Sequence, residues 1–205
     1  METTPSMGRA TLLLVGSAIA VALWSSPASA DVLISNLPGT DNTYTSINGA
    51  GGSLDSKAAG FIMPAGTDYN LDHVTLRLRI QDAANDPSVA IWSDSSGTPG
   101  SVLITLTDPV FTVGVIADYE FTPPSPFTLQ ASQTYWIVVY NESTGSDSFH
   151  WMASSPGQTP TGLATSAGYL FDYGPPPPVS PSSTINSYQV DGTLVPVELM
   201  TFTVE

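Results

Sequence analysis

Leu71-Asp-His-Val-Thr-Leu-Arg-Leu-Arg-Ile80 decides the fold class. Val74, Leu76, Leu78 and Ile80 fall on one side of this stretch, and Thr75, Arg77 and Arg79 on the other. Successive side chains of an extended chain point to opposite faces, so the alternation predicts a strand with one face in a core and one in water. Working outward, the same period of two or a short apolar run marks Val32–Ile34, Ala58–Met63, Ser88–Trp92, Val102–Leu106, Tyr119–Phe121, Phe149–Met152, Tyr169–Tyr173 and Tyr188–Leu194. Thr134–Tyr140 is the most apolar run, with Trp136, Ile137, Val138 and Val139, and reads as a central strand. Between the strands lie turn signals: Pro38-Gly39, Pro64-Ala-Gly66 and Asp94-Ser-Ser-Gly-Thr-Pro-Gly100. Thr40–Ser56 reads as a polar, glycine-rich loop with Gly51-Gly52 as its most flexible point, and Gly174–Pro181 as an extended polyproline segment. No window shows the 3.6-residue stripe of a helix. Ten short strands separated by turn clusters predict an all-β fold, an antiparallel β-sandwich of jelly-roll type, over residues 31–194.

Composition narrows the function. The chain has 205 residues, 18 acidic and 4 basic side chains, and a formal net charge of −14. After residue 30 its only cations are Lys57, Arg77 and Arg79. Nothing there neutralises a run of phosphates, so nucleic acid and anionic lipid are excluded as expected partners. The absence of cysteine removes thiol catalysis, disulfides and thiolate metal sites. Hydrophobic content of 41% still supports a packed core.

The first 30 residues read as an export signal. Arg9 precedes an apolar run over Thr11–Trp24, and Ala28-Ser29-Ala30 follows Pro27. That order supplies the small side chains a signal peptidase requires, and predicts cleavage after Ala30 and a mature start at Asp31. The run is shorter than the roughly 20 residues a membrane-spanning helix needs. No second apolar stretch follows, so no membrane span is expected in the mature chain, which reads as secreted or held at the cell surface. Residues 195–205, Val-Pro-Val-Glu-Leu-Met-Thr-Phe-Thr-Val-Glu, form an apolar, strand-like tail, either a last strand or a connector to a partner.

One resemblance accompanies this reading. Ala58-Ala-Gly-Phe-Ile-Met63, the Leu71–Ile80 strand, Val89-Ala-Ile-Trp-Ser-Asp-Ser-Ser-Gly-Thr-Pro-Gly-Ser-Val-Leu103 and Thr134-Tyr-Trp-Ile-Val-Val139 occur in an order that resembles the choice-of-anchor R domain of secreted bacterial proteins. The resemblance spans residues 32–194 and implies an extracellular module without assigned catalytic residues.

Four constellations are candidates for chemistry. Asp118 and Glu120, two residues apart on a strand, stand about 7 Å apart on one face, the spacing of an inverting glycosidase pair. His73 and His150 lack the spacing of a zinc motif, and no Gly-x-Ser-x-Gly elbow occurs. Asp82, Asn85 and Asp86 cluster hard oxygen ligands in one loop and are a candidate site for a structural calcium, while the same residue types also shape turns without metal; no other cofactor is expected. Trp92, Trp151 and Tyr173 lie near predicted strand ends, where exposed rings would stack on a sugar. The sequence therefore favours a non-enzymatic adhesion, matrix or structural module that meets an extracellular or cell-surface protein or polysaccharide. A carbohydrate-binding module built on those three aromatic residues is the alternative.

Overall fold

The computed structural model describes residues 29–51 and 55–196. The expected leader through residue 28, Gly52, and the tail from residue 197 lie outside them. Among the described residues there is no helix, and none is long and apolar enough to cross a membrane. The strands are β1 (Asp31–Ser35), β2 (Thr43–Asn48), β3 (Asp55–Ile62), β4 (Tyr69–Ile80), β5 (Pro87–Asp94), β6 (Pro99–Thr105), β7 (Ile116–Phe121), β8 (Thr128–Leu129), β9 (Thr134–Asn141), β10 (Ser148–Ala153), β11 (Thr161–Gly162), β12 (Thr165–Tyr173) and β13 (Tyr188–Leu194).

These form two antiparallel sheets. The larger has eight strands and runs β11-β1-β13-β4-β10-β2, with β7 and β8 also on β4. The long β4 organises it: β13 pairs with Tyr69–Leu76 and β10 with Leu78–Ile80 along one edge, while β8 and β7 take the other edge. The smaller sheet has five strands in the order β12-β3-β9-β5-β6. The expected β-sandwich is thus present, and β9 is central as its apolar run implies.

The alternation in β4 becomes the core. Val74, Leu76 and Leu78 are fully buried, as are Ala59 and Phe61 of β3, Val89 and Ile91 of β5, and Ile137 and Val139 of β9, all in one apolar cluster between the sheets. Arg77 and Arg79 face away from it. Arg77 donates from Nε to Asp41 at 2.7 Å and from Nη1 to Asp118 at 3.0 Å.

A second, smaller cluster covers the opposite face of the five-stranded sheet: Ala58, Ala90, Trp92, Trp136, Val138 and Leu170. Register places Trp92, Trp136 and Gly60 in one row across β5, β9 and β3. The glycine leaves room for the Trp136 ring, because a Cβ at Gly60 would stand 2.7 Å from that ring and 2.9 Å from the Ala167 Cβ. Gly60→Ala is accordingly expected to lose about 1–3 kcal/mol through overpacking. Denaturant unfolding checks this, and the loss should shrink when Trp136→Phe is combined with it.

One expected loop is a strand. Thr43-Tyr-Thr-Ser-Ile-Asn48 pairs along its whole length with β10, and Asp55-Ser56 already belongs to β3. Of the β2 residues only Ile47 is a large aliphatic side chain that reaches full burial, so the segment carries a single strong apolar signal. Its β-branched Thr43, Thr45 and Ile47 suit the pleat regardless.

Candidate functional site

β2 is the edge of the larger sheet and β12 the edge of the smaller, and the chain between β12 and β13 crosses beside them. That crossing segment closes the free side of β12: Phe171 N–H donates to Ser180 O and Ser182 N–H to Tyr169 O, both at 2.8 Å. Asp172 secures the turn by accepting from the Val179 and Ser180 amides and the Ser180 hydroxyl. Those bonds hold the Asp172 carboxyl below the usual carboxylate range.

Where the strands and the crossing segment meet there is a cleft of about 290 Å³, lined by Tyr44, Thr45, Ser46, Asn48, Asp55, Lys57, Phe171, Tyr173, Ser182 and Thr184. Its geometry follows from register. Tyr173 of β12 lies opposite Asp55 of β3, and Phe171 opposite Lys57. With a period of two, all four share one face at the end of the smaller sheet. Tyr173 is 82% exposed and sits edge-on to Phe171, with centroids 5.0 Å apart. Tyr44, 51% exposed, stacks flat on His150 at 3.7 Å.

Two charged residues lie deep in the cleft. Lys57 is fully buried; its Nζ donates to Ser182 Oγ at 2.6 Å and Thr184 O at 3.0 Å, and lies 5.8 Å from the Tyr169 ring centroid and 5.9 Å from that of Phe171. Burial lowers its pKa from 10.5 to about 7, because the low-dielectric surroundings disfavour the ammonium. Asp55 is 1% exposed. Its Oδ2 accepts from the Asn48 amide at 3.2 Å and from the Asn48 side-chain nitrogen, while its Oδ1 is buried without a partner among the described residues. Burial raises the Asp55 pKa, and the Asn48 bonds offset this only in part.

The chain matches no family model and no curated protein.

Of the three aromatic residues expected to hold a sugar, the structure places only Tyr173 at this cleft. Trp151 is fully buried in the main core, its indole N–H donating to Ser187 O at 2.9 Å. On β10 it shares the inward face with Phe149, which the period of two requires. Trp92 is 9% exposed and packs in the outer-face cluster beside Trp136. Neither ring is free to stack on a ligand, so the three do not form one platform. Tyr44 and Phe171 stand near Tyr173 instead.

The expected calcium ligands are committed to a turn. Asn85 Oδ1 accepts from the Gln81 amide at 3.1 Å and the Asp82 amide at 3.0 Å, and Asp82 Oδ1 accepts from the Ala84 amide at 2.9 Å. Asp86 is exposed. Among the described residues no three His, Asp or Glu side chains are grouped to hold a metal.

Asp118 and Glu120 line a separate shallow groove on the outer face of the larger sheet with His73, Thr75 and Gln189. Asp118 is held by Arg77, and His73 Nε2 lies 3.1 Å from Asp191 Oδ2. His150 pairs in register with Arg79, six residues along β4 from His73. The two imidazoles are therefore about 20 Å apart and share no site.

Proposed function

We propose that this chain is a secreted or surface-associated, non-enzymatic β-sandwich module of adhesion or matrix type, and that it contacts carbohydrate through the Tyr44–Tyr173 cleft. One observation carries the reading: the strongly exposed Tyr173 lies in register with the buried Asp55, which puts an aromatic face beside a polar floor. Sugar rings present exactly two kinds of surface, C–H faces that stack on aromatic rings and hydroxyls that need fixed polar partners, and this cleft offers both. The extracellular setting is supported by the leader-like residues 1–30 and by the resemblance to choice-of-anchor R domains. A net charge of −14 with few lysines suits a protein that stays dispersed outside the cell.

Co-sedimentation with a panel of insoluble polysaccharides tests the reading. The wild type is expected to saturate at least one of them. Tyr173→Ala and Tyr44→Ala should each lower affinity about three- to tenfold, the worth of one stacked ring. Because both side chains are exposed, the melting temperature should hardly move. A wild type retained by no polysaccharide, or two tyrosine variants retained as well as the wild type, would remove the cleft as the contact.

A further inference from the structure

We infer that Asp55 selects the ligand of this cleft: its unpartnered Oδ1 takes a hydrogen bond from a hydroxyl of an uncharged pyranose and turns acidic sugars away. The inference rests on the carbohydrate reading above and names the sugar class within it.

The geometry of one carboxylate carries the argument. Asp55 is 1% exposed, yet only Oδ2 is engaged, by the two donors of Asn48, and among the described residues Oδ1 has no partner. Buried polar atoms are satisfied with few exceptions, and an unsatisfied one costs the desolvation of that atom. Seven buried side-chain polar atoms among the described residues lack a partner, and the Asp55 Oδ1 is the one whose residue lines the cleft with the exposed Tyr173 directly across the strand pair. An ionised carboxylate only accepts, so the group that completes it must be a donor. Hydroxyls of a neutral sugar are such donors. A uronate would instead bring a second carboxylate beside the first, inside a chain of net charge −14. Lys57 stands two residues along the same strand face at a spacing of about 7 Å. Lys57 itself does not complete Asp55, since its Nζ is turned to Ser182 and Thr184.

The experiment is a titration of the full chain, wild type and Asp55→Asn, followed by ligand-observed NMR. The probes are the methyl glycosides of glucose, galactose, mannose and N-acetylglucosamine, their monodeoxy derivatives, and methyl glucuronide. Asp55→Asn keeps the shape of the side chain and can retain one oxygen toward Asn48, but it replaces the free acceptor. At least one neutral glycoside should bind the wild type, with Asp55→Asn weakening it about ten- to a hundredfold, the range for a hydrogen bond to a charged group. One monodeoxy derivative should lose a similar factor against the wild type and little more against Asp55→Asn. That comparison within the wild type stands even if the variant folds poorly, which its melting temperature would reveal. Neutral glycosides that bind both proteins within twofold, no deoxy derivative that discriminates, or glucuronide bound as tightly as the best neutral sugar would each overturn the inference and leave the carbohydrate reading in place. No glycoside bound by the wild type would overturn the inference, and retention by no polysaccharide in the co-sedimentation would overturn the carbohydrate reading with it.

Discussion

Trp151→Ala is expected to lose about 3–5 kcal/mol of stability, the usual range for removing a large aromatic side chain from a packed core. The ring is fully buried in β10, among residues of the main cluster. Its loss would also remove the indole N–H that donates to the Ser187 carbonyl at 2.9 Å, leaving that oxygen only the longer bond from the Arg77 amide at 3.3 Å. Next to it, Asn186 donates to Trp151 O at 2.6 Å and its own carbonyl accepts from the Tyr169 hydroxyl at 3.3 Å. The damage should therefore spread to the chain entering β13. Single domains are stable by about 5–15 kcal/mol, so this one substitution removes a large share. Urea unfolding measures it: the midpoint should fall sharply with an unchanged slope, and Trp151→Phe should recover part of the loss by refilling the volume. Ligand binding should disappear only in the unfolded fraction. A loss below about 1 kcal/mol would instead mark a solvent-facing ring and return Trp151 to the list of contact residues.

That contrast shows what the sequence disclosed. Alternation in Leu71–Ile80 was readable because four large aliphatic residues share one face, and the continuous run in Thr134–Tyr140 because both faces of its strand are covered by apolar clusters. β2 was hidden, since Thr, Tyr, Ser and Asn surround its single buried Ile47. The aromatic residues were misplaced for a related reason. Trp92 and Trp151 sit near strand ends in sequence, but covering layers extend past those ends: the outer-face cluster over Trp92, and β2 beside β10. The Asp55–Lys57 floor is not legible because Asp55 falls in the expected Thr40–Ser56 loop and Lys57 between that loop and the strand opening at Ala58. A signal was present, however. In Asp-Ser-Lys-Ala-Ala-Gly-Phe61 the period of two puts Asp55 and Lys57 on the same side as Ala59 and Phe61, which is the core side. A strand that turns two charged residues inward carries them for a purpose that packing alone does not supply.

Lys57→Met is expected to stabilise the protein in neutral and acidic solution, and the gain should fade as pH rises. The wild-type ammonium is fully buried with two neutral acceptors, and among the described residues no carboxylate is bonded to it. Its pKa is about 7 in the folded chain against an ordinary 10.5. A folded-state pKa below the unfolded one means that the unfolded chain binds the extra proton across that window. Wild-type stability therefore rises with pH between about 7 and 10.5 on account of this residue. Below about pH 7 both states are protonated and the full cost of burying the charge is present. At 1.36 kcal/mol per unit the shift corresponds to roughly 5 kcal/mol as an upper bound. Methionine carries a similar stem and no charge, so it escapes that cost while giving up the bonds to Ser182 and Thr184. The difference in unfolding free energy between variant and wild type should hence be largest at or below about pH 7 and narrow steadily toward 10.5. Subtracting one protein from the other cancels the remaining groups, including Tyr169 and Tyr188, whose burial raises their pKa values and moves stability the opposite way in alkali. A difference that stayed flat across that range would mean the amine keeps its ordinary basicity, and so that water or a carboxylate reaches it. If it is a carboxylate, the cleft floor would hold a true charge pair, and the neutral-sugar preference assigned to Asp55 would lose its electrostatic basis.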